Sequence, residues 1–149
     1  MGITYAEIEL VRVADQVLVQ EGYLTVDQIR RVQVKAVVDA GLSMLVLPRA
    51  IANRLYLHKR DEPSTKVWHY RTPASALVDD PVMTADVVGP VAIRFQNSRT
   101  VTDAIVSDGE TEVRLGRIAM HSMDVRVNLR QKQLVVNPKS PDISLMMLK

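Results

Sequence analysis

Hydrophobic and polar residues alternate along much of this chain, and the alternation predicts mainly β-strands. The clearest case is residues 32–38, where every second side chain is hydrophobic, the period of two expected of a strand. The mostly apolar residues 42–47 predict a second strand, buried on both faces. Between the two lies Asp39-Ala40-Gly41, so a single carboxylate stands where a strand runs into a turn.

The same pattern predicts strands and turns on both sides of this segment. Residues 3–20 predict one or two early strands that end at a turn at Glu21-Gly22. A pair of strands is expected at 91–96 and 101–106, joined by a turn at Asn97-Ser98. The remaining expected features are a turn at 107–110 and two terminal strands around a turn at 128–133.

Helices are expected to be few and short. Residues 48–55 predict one helix, because Pro48 suits a first helical turn and hydrophobic residues follow on one side. Residues 118–124 predict another, whose methionines we interpret as core or interface packing rather than as a cofactor site. Residues 25–31 predict a short helical or irregular link.

The carboxylate of Asp39 admits two interpretations. An acid next to apolar strands is costly unless donors hold it, which points to a functional group. Gly41 fits that interpretation, because a residue without a Cβ lets backbone N–H groups approach the carboxylate closely. Asp also commonly shapes turns between strands, and local chemistry by itself favours this simpler interpretation.

The composition argues against several classes of function. Positive and negative side chains nearly balance, with 19 Lys and Arg against 17 Asp and Glu, and they are scattered, which disfavours nucleic-acid binding. The chain has no cysteine, which excludes disulfide and thiol chemistry. It has no basic leader before an apolar segment and no run of the ~18 apolar residues that a membrane span needs, so we expect a soluble, cytoplasmic protein.

Familiar motifs of metal, serine and phosphate chemistry are also absent from the sequence. The three histidines, His58, His69 and His121, are widely spaced and form no metal-ligand pattern, so neither a metal nor a cofactor is expected. Ser43 lies outside any Gly-x-Ser-x-Gly turn, which argues against a serine nucleophile. No glycine-rich loop could hold a phosphate.

Residues 36–48 resemble the Asp-Thr-Gly region of retropepsin-like aspartic proteases of clan AA, and most of all the small bacterial single-domain type. In that family the motif leads into a short helix ending in leucine, as residues 48–55 do here. Segments 4–10, 88–91 and 134–142 are also similar in order and spacing, so the resemblance covers nearly the whole chain. It implies one all-β domain over residues 1–149, a closed-barrel acid protease half with one or two short helices.

The resemblance further implies an aspartic endopeptidase that works as a two-fold homodimer. Such enzymes use two carboxylates in one site, one ionised to activate water and one protonated to polarise the carbonyl. Asp39 lies in the only Asp-x-Gly of the chain, so a second copy would supply the other carboxylate on the symmetry axis. The expected partners are therefore that second copy and a peptide or protein substrate. The apolar residues 145–148 are expected to be buried or to dock against another subunit.

The resemblance also assigns supporting roles around Asp39. Residues 113–116 occupy the position of an apolar-apolar-Gly motif that packs beneath the catalytic loop, although Arg114 interrupts the apolar pattern. Residues 65–88 would form a hairpin covering the substrate, while an ordinary surface hairpin with a solvated acidic tip explains the same residues. The implied loop supports are Ala40, Gly41, Ser43, Leu115 and Gly116, and the implied flap residues are Val78, Asp79 and Asp80.

Three features depart from the family pattern. Ala40 replaces the usual Thr or Ser, Leu42 replaces a small residue, and residues 65–88 contain no glycine. The family's hydroxyl at the position of Ala40 is thought to bond across the two-fold axis, so its loss predicts a looser site and a weaker dimer, by roughly 0.5–1.5 kcal/mol per bond. The alternative function is a catalytically impaired dimerisation or peptide-binding module of the same fold. A monomeric β domain is a third possibility.

Overall fold

Short strands and shorter helices build the fold, in a computed structural model that describes residues 3–59, 65–67 and 83–137. The longest helix in those segments has eight residues, and none of their helices has the length and apolar character to cross a lipid bilayer. In chain order the elements are β1 (Thr4–Arg12), α1 (Val13–Gln20), a 3-10 turn (Val26–Gln28), β2 (Arg31–Val38), β3 (Leu45–Pro48), α2 (Arg49–Arg54), β4 (Thr65–Val67), β5 (Met83–Ala85), β6 (Val87–Phe95), β7 (Ser98–Ser107), β8 (Arg114–Leu115), α3 (Arg117–Met123), β9 (Val125–Asn128) and β10 (Gln133–Val136).

Six of these strands form a closed ring of backbone pairing. β1 pairs antiparallel with β2 and with β6, and β6 continues to β7. β7 pairs parallel with β3, β3 antiparallel with β8, and β8 parallel with β2, which returns the ring to its start. Every strand of the ring therefore has a neighbour on both sides, as a barrel requires. The predicted all-β, closed-barrel architecture is confirmed.

β2 shows how the alternating pattern positions Asp39. Its polar residues Arg31, Gln33 and Lys35 are exposed, as the period of two predicts. At the end of the strand the alternation stops, because both Ala36 and Val37 are buried. At this point β2 pairs with β1 on one side and β8 on the other, and the half-buried Val38 connects the buried pair to Asp39.

The hydrophobic core draws on most of the ring strands and on α3. Ile8, Leu47, Ile93 and Leu115 are each 1% exposed or less. Met123 in α3 is fully buried as well, which confirms the interpretation of the α3 methionines as packing residues. The core thus extends to Leu115, in the strand that pairs with β2 just before Asp39.

Residues 13–20 form α1, so the prediction of a possible second strand there is wrong. The physical reason lies in Asp15, which α1 buries between Arg12 at the end of β1 and the backbone N–H of Arg30. A buried carboxylate needs such partners, and alternation of hydrophobic residues does not reveal them. The hydrophobic Val17 and Leu18, which suggested a strand, are left 46% and 37% exposed. The turn at Glu21-Gly22 is confirmed.

The remaining predicted elements are confirmed with small shifts in their boundaries. The turn between β6 and β7 falls at Gln96-Asn97, one residue earlier than predicted, because Phe95 pairs with Ser98. β3 begins only at Leu45, and Pro48 ends that strand and precedes α2 instead of lying within its first turn. These shifts arise from strand register, which is decided between strands and not within one.

The predicted covering hairpin is described only at its base. β4 and β5 pair antiparallel, with Thr65 opposite Ala85, as the two arms of a hairpin would. The predicted tip at Val78, Asp79 and Asp80 lies outside the described residues, as does the apolar tail at 145–148.

Candidate active site

Asp39 follows β2 directly and opens the Asp39 loop, residues 39–44, which leads into β3. β8 lies between β2 and β3 in the sheet, so this loop passes over the end of β8. The backbone N–H of Asp39 donates to the carbonyl oxygen of Leu115 at 3.0 Å. Asp39 is therefore anchored to the sheet through its own backbone, at the point where three strands meet.

The two carboxylate oxygens of Asp39 have different neighbours. Oδ1 accepts a hydrogen bond from the backbone N–H of Gly41 at 3.0 Å, and a Cβ at position 41 would lie only 3.1 Å from that oxygen. Oδ2 lies 3.5 Å from Nη1 of Arg114. The side chain is 23% exposed, so it is partly shielded yet open to solvent on one side. The loop is also a turn, because the N–H of Leu42 donates to the carbonyl oxygen of Asp39 at 3.1 Å.

Gly116 supports the Asp39 loop from below. A Cβ at this position would lie 2.5 Å from the carbonyl oxygen of Met44 and 2.7 Å from that of Ser43, so only glycine fits without moving the backbone. The first turn of α3 continues the contact, because the N–H groups of Arg117 and Ile118 donate to the carbonyl oxygens of Leu42 and Ser43 at 2.7 and 3.0 Å. Leu115 and Gly116 thus lie beneath the loop, where the resemblance implies them.

The outer side of the Asp39 loop faces solvent. Ala40, Gly41 and Ser43 are all exposed in this chain. The hydroxyl of Ser43 accepts a hydrogen bond from Arg117 at 3.4 Å, and the Ala40 methyl group can make no such bond. The loop residues implied by the resemblance are therefore brought together around Asp39, with one surface uncovered.

Arg114 and Glu110 also belong to this group of side chains, although the sequence reasoning assigned neither of them a role. Arg114 donates from Nε to Oε2 of Glu110 at 3.0 Å while its Nη1 faces Asp39. One guanidinium therefore lies between two carboxylates. The sequence does carry a signal, because a charged residue between the buried Val113 and Leu115 needs a partner.

A second polar cluster surrounds Asp15, whose side chain is completely buried. Burial opposes ionisation, but the Arg30 backbone N–H at 2.8 Å and the Arg12 guanidinium outweigh it, so the pKa of Asp15 lies below the usual 3.8. Arg12 also donates to the carbonyl oxygen of Tyr56 at 3.1 Å and lies 2.9 Å from Nε2 of His58. This cluster joins α1 to the segment that follows α2, and it includes no residue of the Asp39 loop.

A cavity among the described residues lies away from the Asp39 loop. The cavity has a volume of about 320 Å³ and is lined by Asn53, Tyr56, Leu57 and His58, next to the Asp15 cluster. Within residues 3–59, 65–67 and 83–137, no three side chains of the metal-binding types His, Asp and Glu come together. His69 lies outside these segments.

Comparisons with known proteins find similarity at the level of structure. No family model matches the chain, and no curated protein matches it. The retroviral protease-like domain of Ddi1 from Leishmania major has 13% sequence identity and a TM-score of 0.50, over 93% of this chain and 90% of that one. EIAV protease complexed with the inhibitor HBY-793 has 24% identity and a TM-score of 0.42, over 57% of this chain and 71% of that one. The likeness to the Leishmania domain, over nearly the full length of both chains, establishes the fold.

Proposed function

We propose that this chain, which has the retropepsin-like fold, is an aspartic endopeptidase that becomes active as a homodimer. The observation that supports this most is the placement of Asp39. Its carboxylate is partly exposed, receives a backbone hydrogen bond from Gly41, and belongs to a loop supported by β8 and α3. A carboxylate held in place while open to solvent suits general acid–base chemistry. The cytoplasmic location and bacterial origin stay predictions.

In the proposed reaction Asp39 of one copy and Asp39 of the other share a site. One carboxylate is ionised and takes a proton from water, whose oxygen attacks the carbonyl carbon of the peptide bond. The other carboxyl group is protonated and donates its proton to the carbonyl oxygen. Collapse of the tetrahedral intermediate breaks the C–N bond, and the amine leaves with a proton returned by the pair. Two nearby carboxylates favour this division, because they resist being ionised together.

The exposed side of the Asp39 loop supports the homodimer. The sequence contains a single Asp-x-Gly motif, at Asp39, so the proposed reaction needs a second copy to supply the second carboxylate. Ala40, Gly41 and Ser43 are exposed, which leaves the loop surface accessible to that copy. In a symmetric dimer the same loop would meet itself across the axis, and the two Asp39 side chains would approach each other.

Incubation with an unfolded protein substrate from acidic to neutral pH tests the proposal. We expect the wild-type chain to cleave it and Asp39→Asn to lower the rate by about 10²- to 10⁴-fold, because the amide can neither accept nor donate the proton. Asp27→Asn is the matched control, since Asp27 is an exposed acid in the 3-10 turn. The proposal of peptidase activity would be overturned if the Asp39→Asn variant still cleaved the substrate, or if a stable wild-type dimer cleaved nothing.

A second candidate function is a dimerisation or peptide-binding module without catalysis. Ala40 is the observation that favours it, because a methyl group is exposed where the family carries a hydroxyl. This candidate expects a stable dimer that binds unfolded peptide without cleaving it. A protein that stays monomeric in sizing chromatography would contradict both candidates.

A further inference from the structure

We propose that Arg114 is a positioning residue, which orients the carboxylate of Asp39 for the reaction while Glu110 holds the guanidinium in place. This inference rests on the proposed function and adds to it a group that the sequence shows only as a break in an apolar pattern. Arg114 acts through Asp39 and has no direct role in bond breaking. Three observations support it: the contacts of the Arg114 side chain, the pairing of β8 with a strand on each side, and the different neighbours of the two Asp39 oxygens.

The contacts form a chain of three charged side chains. Nη1 of Arg114 lies 3.5 Å from Oδ2 of Asp39, and its Nε donates to Oε2 of Glu110 at 3.0 Å. The side chains of Asp39 and Arg114 are each 23% exposed, and that of Glu110 is 19% exposed. Partial burial strengthens such interactions relative to pairs on the open surface. The planar guanidinium can serve both carboxylates at once, because its donors point in fixed directions.

The backbone of Arg114 is held more firmly than a loop residue would be. Arg114 pairs with Val37 of β2 on one side and with Val46 of β3 on the other. Its neighbours Val113 and Leu115 are buried, which fixes the direction in which the Arg114 side chain leaves the strand. A functional group orients best when the residues that hold it belong to rigid elements.

The two oxygens of Asp39 are contacted from different directions. Gly41 donates its backbone N–H to Oδ1, and Arg114 faces Oδ2. Together these contacts oppose rotation of the carboxylate about its terminal bond. Proton transfer depends on such alignment, and a misplacement of about 1 Å can cost about 10²-fold in rate. Glu110 accepts a hydrogen bond from the same guanidinium, so Arg114 contacts both carboxylates while it orients Asp39.

Kinetics of three variants test the proposal. We expect Arg114→Met to lower kcat by about 10- to 100-fold with KM changed less than about threefold, because substrate binding does not use this contact. Arg114→Lys should recover a large part of the loss, since it restores a cation near Oδ2. Arg49→Met is the matched control: Arg49 bonds Asp108 in the turn before Glu110 and Asp86 beside β6, and makes no contact with Asp39. A loss in KM alone, or equal losses in the Arg114→Met and Arg49→Met variants, would overturn the assignment.

A measurement independent of activity separates this inference from the proposed function. Arg114→Met is introduced into the wild-type chain and into Asp39→Asn, and the shift in the urea unfolding midpoint is compared at one protein concentration. We expect a smaller shift in the Asp39→Asn background, because the charge that Arg114 faces is gone while its hydrogen bond to Glu110 remains. Equal shifts in a protein that cleaves peptides would overturn the role of Arg114 alone. Unequal shifts in a protein that cleaves nothing would overturn the peptidase, and with it the assignment of Arg114 to the reaction.

Discussion

Ala40 has a methyl group at the position where the family resemblance implies a hydroxyl that bonds to the second copy. Ala40 is exposed at the outer side of the Asp39 loop, next to Gly41, whose N–H already serves the Asp39 carboxylate. In a symmetric dimer the hydroxyl is missing from both copies at once, so no opposing hydroxyl is left without a partner. In the proposed dimer, this residue therefore bears on association and catalysis more than on folding.

Ala40→Thr is expected to tighten the proposed dimer and raise the rate of cleavage. A hydrogen bond worth roughly 0.5–1.5 kcal/mol corresponds to a dimer dissociation constant about 2- to 13-fold lower for each bond formed. Sedimentation measures the constant, and kcat/KM on a peptide measures the rate. Ala40→Val is the matched control, because valine has the shape of threonine without the hydroxyl. If threonine changes neither quantity, or valine changes both equally, this account of the loop is wrong.

Asp15→Asn is expected to lower the free energy of unfolding by about 3–5 kcal/mol at neutral pH, because it leaves the Arg12 guanidinium without its buried counter-charge. The pKa of Asp15 is below 3.8 in the folded protein, so its stabilisation is complete above that pH and is lost as the pH falls through the lower folded-state pKa. Urea unfolding at several pH values should show wild type and variant converging below pH 3.8. Asp27→Asn, at an exposed position, should change little at neutral pH, and equal losses in both variants would contradict the buried ion pair.

Among the elements, β8 decides the geometry of the candidate site. It has only two residues, yet it pairs with both β2 and β3 and carries Arg114 towards Asp39. Gly116 follows β8 and lets the Asp39 loop rest on the start of α3. A strand of two residues has too little alternation to be predicted from its own sequence. The resemblance located residues 113–116 as a motif, and the pairing alone makes Arg114 and Leu115 a strand.

Gly116→Ala is expected to destabilise the protein by roughly 1–3 kcal/mol and to reduce cleavage, because the new Cβ would meet the backbone of Ser43 and Met44. Gly109→Ala is the matched control, since a Cβ at position 109 has no neighbour within 4 Å. Urea unfolding and kcat/KM measure the two effects. Similar values for both variants would show that the close packing beneath the Asp39 loop is not what requires glycine.

At the scale of the whole molecule, a closed ring of strands supports the Asp39 loop, whose outer side is exposed. Closure satisfies the backbone of the ring strands, so the proposed association uses the exposed side of the Asp39 loop rather than a strand edge of the ring. The retropepsin-like fold is thereby complete in one chain, while the proposed reaction needs two.

The proposed dimer predicts that activity depends on protein concentration. On dilution below the dimer dissociation constant, the specific activity should fall in proportion to the fraction of dimer, because a lone chain has one Asp39. Sedimentation over the same concentrations measures that fraction, with Asp39→Asn as a control expected to dimerise without cleaving. A specific activity that stays constant while the protein is monomeric would contradict a shared site.

The sequence by itself determined the strands with clear alternation, the short helices α2 and α3, and the position of Asp39 at the end of β2. These features follow from local periodicity and turn chemistry, which neighbouring residues decide. The tertiary structure alone decided that residues 13–20 form a helix, which buries Asp15 against the backbone N–H of Arg30, and that Arg114 lies beside Asp39. In both cases the two partners are distant in the sequence and meet only in the folded chain, so local periodicity does not predict their contact.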